Sequence, residues 1–234
     1  MKINKSIMSV DDNPLYLDFW PLVSKVWKLR FNIEPVLIYF GNQNVSTEYG
    51  TVIRIQPLNN VDLYLQTQWA RMFFTSKDEE STFITSDIDM FPISRNFFAD
   101  QVASINENKY VHLYGLHRPI PMCYNIAKGK TFKKILDLPD SFEESMKQLL
   151  DNNFKRQHMD YNRWGIDEYY LTSKIEQYNG KNDLVLLKND VSSRLDRSNW
   201  PSSYEVDDYI DCHSLRPVNG FKEQILDLTN RLCK

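Results

Sequence analysis

A chain of 234 residues, 42% apolar and 25% charged, has the composition of a folded protein with a sizeable core, which excludes disordered and fibrous classes. Its formal net charge of −3 excludes a global basic field that would draw nucleic acid or an anionic membrane. The 7 glycines fall well short of the roughly 16 that average usage implies, and no two are spaced as G-x-G-x-x-G or G-x-x-x-x-G-K-[ST], which argues against the two commonest backbone cradles for phosphate.

The first ninety residues alternate short β-type runs with segments of helical period, the pattern of an α/β layer around a mainly parallel sheet. Ser6–Val10 reads as a first strand, ended by Asp11-Asp12-Asn13-Pro14. Leu15, Phe19, Leu22, Val23, Val26 and Trp27 then share one helical face, so a buried helix is expected from about 14 to 30. Pro35–Phe40 suits a strand covered on both faces, and Thr51–Ile55 is a shorter one. Asp62 is placed to cap a helix whose apolar set is Leu65, Trp69, Met72 and Phe73. Thr82–Thr85 is a strand that runs straight into Ser86-Asp87-Ile88-Asp89-Met90-Phe91-Pro92. Further on, Tyr110–Tyr114 reads as a strand, and Ser141-Phe142-Glu143-Glu144 is a capping box opening a helix. Another helix is expected near Gly165-Ile166-Asp167-Glu168, a strand over Asp183–Leu187, and a closing helix through Phe221, Ile225, Leu228 and Leu232. Cys123, Cys212 and Cys233 form no C-x-x-C pair, which points to a reducing compartment. No apolar run approaches the 18 or so residues of a membrane span, and Ile7–Val10 is too short for a signal-peptide core, so a soluble chain without an anchor is expected.

Three segments could carry chemistry. Asp87-Ile88-Asp89 stands at the C-terminal end of an apolar strand, where ligands bind in open α/β sheets. Two carboxylates there can hold one divalent cation that keeps open positions for phosphate oxygens, or they can simply cap a solvated turn. Asp167 and Glu168 sit in the first turn of a helix, as dipole partners or as a general base beside Trp164. The third segment, Asp207 to Pro217, contains His213, a candidate distant ligand for the Asp87/Asp89 site, whereas His112, His117 and His158 show no ligand spacing. Nearby, Arg194 and Arg197 suit diphosphate oxygens or a surface salt-bridge loop.

Taken in order, the strand into Asp87-Ile88-Asp89-Met90-Phe91-Pro92, Trp164-Gly165-Ile166-Asp167-Glu168 and the late Asp211-Cys212-His213 resemble a GT-A-fold nucleotide-sugar glycosyltransferase with a DxD motif. The Gln68-Trp69-Ala70-Arg71 helix and the segment from Cys123 to Phe132 are also similar to such enzymes, and the small, anchorless format most resembles the glycosyltransferases of large algal DNA viruses. The resemblance implies a single Rossmann-like GT-A domain, α/β, with a mixed, mainly parallel central sheet flanked by helices. Residues 1–92 would be its nucleotide-binding half, and 93–234 its acceptor half with a C-terminal metal and phosphate segment. It also implies transfer, in the inverting manner, from a nucleoside diphosphate sugar, UDP-sugar favoured, to a hydroxyl of a glycan or glycoprotein, with Mn²⁺ or Mg²⁺ as cofactor. Asp87, Asp89 and His213 would then hold the metal. Asp12, Arg71, Asp87, Arg194 and Arg197 would hold the nucleotide, and Asp167, with Glu168 as fallback, would deprotonate the acceptor. The expected partners are the donor and the acceptor, with neither nucleic acid nor membrane, and the expected location is cytoplasmic, host cytoplasm for a viral protein. A nucleotidyltransferase and a glycan-binding module are the alternatives, the first weakened by the lack of glycine before Leu15.

Overall fold

The computed structural model describes residues 1–115, 118–151, 165–187, 189 and 192–234. The chain opens with strand β1 (Lys5–Asp11), then helices α1 (Pro14–Leu17) and α2 (Trp20–Phe31), where one helix over 14–30 was expected. The division has a local cause. Pro21 stands in the first turn of α2, where it lacks the N–H that would continue a helix and its ring crowds the carbonyl four residues back. Next come β2 (Glu34–Phe40), β3 (Thr51–Arg54), α3 (Leu63–Phe73), β4 (Thr82–Thr85), β5 (Met90–Pro92) and α4 (Arg95–Phe98). The second half supplies β6 (Tyr110–His112), β7 (Asn125–Lys128), α5 (Gly129–Leu136), α6 (Phe142–Leu149) and α7 (Ile166–Gln177). It ends with β8 (Leu184–Leu186), β9 (Arg194–Asp196), β10 (Asp211–His213) and α8 (Lys222–Leu232). Ser141 caps α6 as its sequence indicates, accepting from the Glu144 N–H at 3.1 Å.

Among the described residues the strands form two sheets. The larger has seven strands in the order β3-β2-β1-β4-β7-β6-β8. It is parallel from β3 through β4 and again between β6 and β8, while β7 runs antiparallel to both its neighbours. Alternation along β1 and β2 sends Met8, Leu37 and Tyr39 to one face, packed with α2 and α8. Ile7, Val36, Ile38 and Phe40 go to the other, packed with α3, α5 and α7. Because β1 has β2 on one side and β4 on the other, the strand order reverses there. The C-terminal ends of β1 and β4 therefore flank the crevice where ligands enter open α/β sheets.

The smaller sheet, β5-β10-β9, has no counterpart in the sequence reading. Its strands are three residues each, too short for a period, and they pair across long stretches of chain: His213 lies opposite Met90 in the antiparallel β10–β5 pair and opposite Asp196 in the parallel β10–β9 pair.

Aromatic packing dominates the first core. Trp27 is fully buried, with its ring 5.4 Å from Phe31 and 5.5 Å from Phe98 between centroids. Trp27→Ala should cost about 3–5 kcal/mol, the range for emptying an aromatic core position. The check is urea unfolding, where the midpoint should fall while the slope stays constant.

Candidate functional site

A cleft of about 690 Å³ opens at the ends of β1 and β4. Its walls carry Asp11 from β1, Gln68 and Arg71 from α3, Asp87 and Asp89 from the turn after β4, Asp167 and Glu168 from α7, and Arg197, His213 and Arg216 from the C-terminal segment. The turn is anchored by buried Ile88 and by the Met90 N–H donating to the Asp87 carbonyl at 3.2 Å. The two carboxylates therefore start from a fixed backbone.

Asp89 does not sit on a solvated turn: the residue is 5% exposed. Arg197 donates to its Oδ2 at 2.8 Å, with His213 Nε2 at 3.5 Å and Arg216 Nη1 at 3.6 Å from the same oxygen. Burial pushes this carboxyl up, but His213 and Arg197 more than offset it and hold Asp89 below the usual carboxylate range. The small sheet sets the arrangement. Pairing of β10 with β5, continued by the Ser214 N–H donating to the Asp89 carbonyl at 3.0 Å, brings His213 beside Asp89. Pairing with β9 sets Asp196 against the other ring nitrogen, 3.1 Å from His213 Nδ1. Burial also opposes ionisation of Asp196, yet hydrogen bonds from Ser198 and then His213 hold it at about 2.

A second cluster surrounds Arg71, in the last turn of α3 and 9% exposed. Its guanidinium donates to Asp87, and its Nη2 lies 3.7 Å from the Asp167 carboxylate. Asp167 is 2% exposed in the first turn of α7, and burial raises its pKa against the pull of Arg71. Glu168, next along the helix, accepts from the Met122 N–H at 3.4 Å. Burial first, then the charges of Asp167 and Asp87, push Glu168 up to about 7. Gly165, at φ 86°, occupies the left-handed position before the helix that other residues adopt at a cost. Three buried polar atoms of the cleft, Gln68 Oε1, Arg71 Nε and Asp167 Oδ1, have no hydrogen-bond partner among the described residues.

Seven of the residues singled out in the sequence thus line one cleft: Arg71, Asp87, Asp89, Asp167, Glu168, Arg197 and His213. Two of the candidates lie elsewhere. Arg194 is outside the lining, because both arms of its fork bind the buried Asp211 carboxylate at 2.9 Å and the guanidinium also donates to Tyr114. Asp12 is outside it too. Its carboxylate turns to Tyr39 and to the Asn42 N–H, and Asp11 faces the cleft instead. Arg163, Trp164, His117 and His158 lie outside the described residues. Asp196, Arg216 and Asp11 were missed as site residues. Asp196 stands inside the arginine segment and Arg216 three residues after His213, so position beside the candidates was the available signal.

The metal expectation meets a mixed result. Among the described residues no group of three His, Cys, Asp or Glu is gathered closely enough to hold an ion. Asp87 is closed by Arg71, and Asp89 by Arg197, His213 and Arg216. The donor types nevertheless suit a divalent cation, with two carboxylates and an imidazole on the walls of one cleft.

Comparison with solved structures identifies the fold. The galactosyltransferase LgtC, solved with donor and acceptor sugar analogs, aligns over 98% of this chain and 96% of its own, with a TM-score of 0.55 at 11% identity. The glycosyltransferase GlyE of Streptococcus pneumoniae, in its apo form, aligns over 97% of this chain with a TM-score of 0.55 at 11% identity. This chain spans only 60% of GlyE. No protein-family model and no curated protein matches the sequence. The fold is the α/β fold of GT-A glycosyltransferases, with a mainly parallel central sheet between helices.

The raised Glu168 pKa has a consequence for stability. A carboxyl whose folded pKa exceeds its unfolded value stabilises the fold while protonated, and that contribution is lost as pH rises from 4.5 through about 7. Glu168→Gln, neutral at every pH, should therefore exceed the wild type in stability above pH 7, by up to about 3 kcal/mol. The gap should close toward pH 4.5. Denaturant titrations at both pH values check this, and equal differences at the two would remove the electrostatic account.

Proposed function

We propose that this protein transfers a sugar from a nucleoside diphosphate donor, a UDP-sugar first among those to test, to a hydroxyl of a glycan or glycoprotein acceptor. The observation that carries the reading is the gathering of Arg71, Asp87, Asp89, Glu168, Arg197 and His213, from segments far apart in the chain, on one cleft at the sheet's ligand-binding edge. The unpartnered Gln68, Arg71 and Asp167 atoms support it, since a buried polar atom at a cleft wall is satisfied by a polar ligand such as a sugar hydroxyl. The similarity to LgtC, whose structure holds donor and acceptor sugar analogs, concerns the fold and agrees with the reading.

The roles follow from chemistry. Asp89 and His213, with Asp87 beside them, would hold Mn²⁺ or Mg²⁺, which when bound supplies Lewis-acid neutralisation of the charge growing on the departing diphosphate. Asp196 takes the Nδ1 side of His213, so that the ring can present Nε2 as a ligand. Asp89 would exchange Arg197 and Arg216 for the cation, and both guanidiniums would turn to phosphate oxygens, which their planar forks match. Between the two acidic residues of α7, Glu168 is favoured over Asp167 as the base that removes the acceptor proton. A base works best with its pKa near the operating pH, and Glu168 stands at about 7 while Asp167 is engaged by Arg71. Deprotonation of the acceptor by a carboxylate suits a single displacement with inversion.

The decisive measurement is thermal unfolding with nucleoside diphosphates and nucleotide sugars, with and without Mn²⁺. A ligand at 100 times its Kd stabilises the fold by about 2.7 kcal/mol. A Mn²⁺-dependent shift is expected for the wild type and should vanish in Asp89→Asn. A shift indifferent to Mn²⁺ removes the metal assignment, and no shift with any nucleotide sugar removes the function.

Turnover separates the two α7 residues. With the partner nucleotide sugar found, kcat/KM should fall below pH 7 or so as Glu168 takes up its proton, and Glu168→Gln should lose at least about a hundredfold in kcat while still binding donor. NMR of the first product should show the anomer opposite to the donor's. A retained anomer would sink the single-displacement assignment.

A further inference from the structure

A second cavity, of about 700 Å³, lies outside the cleft and shares none of its lining residues. Trp200, Tyr204, Glu205, Gln224, Asp227 and Arg231 form its working surface. The Trp200 and Tyr204 rings meet edge to face, centroids 5.8 Å apart, and both pack on the first core. Arg231 holds the second ring. Its guanidinium lies 5.4 Å from the Tyr204 centroid, its Nη1 donates to the Tyr204 carbonyl at 3.2 Å, and its Nε is 2.9 Å from Asp227. The aromatic wall is thus set before any ligand arrives, which lowers the ordering cost of binding.

The lining selects a class of ligand. Arg231 is engaged by Asp227, and Glu205 lines the same cavity, so a phosphate or carboxylate ligand would meet two like charges. A wholly apolar ligand would bury the carboxylates of Glu205 and Asp227 and the amide of Gln224 without replacing their water. A neutral pyranose avoids both costs. Its C–H face covers an aromatic ring while its hydroxyls donate to carboxylates and exchange hydrogen bonds with an amide. The cavity also adjoins the cleft along the chain. Trp200 follows Arg197, which lines the cleft, by three residues, a span of at most about 11 Å.

We propose that this cavity is a glycan subsite separate from the transfer cleft, holding a neutral sugar residue of the acceptor remote from the reacting hydroxyl. Trp200 is its platform, and Glu205, Gln224 and Asp227 are its hydroxyl partners. The inference rests on the glycosyl-transfer reading for the identity of the glycan as acceptor. Its test is binding without turnover, so that the two can fail separately.

The full chain, with no donor present, is applied to an array of immobilised neutral monosaccharides and oligosaccharides. Retention of oligosaccharides is expected for the wild type, about tenfold weaker for Trp200→Ala and about threefold weaker for Gln224→Ala, a change on the exposed face of α8 that leaves the core untouched. Both variants should keep the wild-type thermal shift with Mn²⁺ and nucleotide sugar, which certifies fold and cleft. Retention unchanged in Trp200→Ala, or lost in Glu168→Gln instead, overturns the subsite. Nucleotide-sugar binding without any glycan retention also overturns it and leaves the transferase reading standing. Glycan retention without nucleotide-sugar binding would keep the subsite and remove the transferase reading.

Discussion

One buried carboxylate governs the architecture of the cleft. An ionised Asp89 at 5% exposure costs several kcal/mol unless charge and hydrogen bonds compensate. Compensation comes from Arg197, His213 and Arg216, all from the last forty residues, whereas Asp89 belongs to the turn after β4. The β5-β10-β9 sheet joins these regions in the required register. A slip of one residue in β10 would turn His213 to the opposite face and leave the carboxylate with one fewer partner. The small sheet is therefore as much a part of the site as the side chains it carries.

This dependence marks what could be read in the sequence. β1, β2 and α2 announce themselves through apolar runs and helical period because the strands are largely buried and α2 buries one face, and Thr82–Thr85 appears with its observed bounds. Asp87 and Asp89 could be singled out from residue type and position after a predicted strand, Asp167 from its place in the first turn of a predicted helix, and His213 from residue type as a distant candidate ligand. Their mutual placement could not, since three-residue strands leave no periodic trace and pair far along the chain. Arg194 shows the same limit at a single residue. A guanidinium fork fits a diphosphate and a buried carboxylate equally well, and only the tertiary pairing with Asp211 decides between them.

The scarcity of glycine gains a physical meaning from the fold. A Cβ on Gly41 would stand 2.3 Å from an Asp12 oxygen, so this glycine serves the close approach of two loops after β1 and β2 rather than a phosphate. Asp12, drawn to Tyr39 and the Asn42 N–H, is spent on the same junction. In the cleft itself the guanidinium groups among the described lining residues are those of Arg71, Arg197 and Arg216.

The Arg71 cluster carries its own cost to the fold. Arg71 faces Asp87 and Asp167, and Glu168 adds a third carboxylate to the same wall. Burial and the neighbouring carboxylates raise Asp167 and push Glu168 up to about 7, and the pull of Arg71 opposes both. A more stable arrangement would replace one carboxylate with an amide. The cluster that results from not doing so contains a group able to take or release a proton near neutrality, beside polar atoms left without partners. The same crowding that raises Glu168 thus works against the stability of the fold above neutral pH.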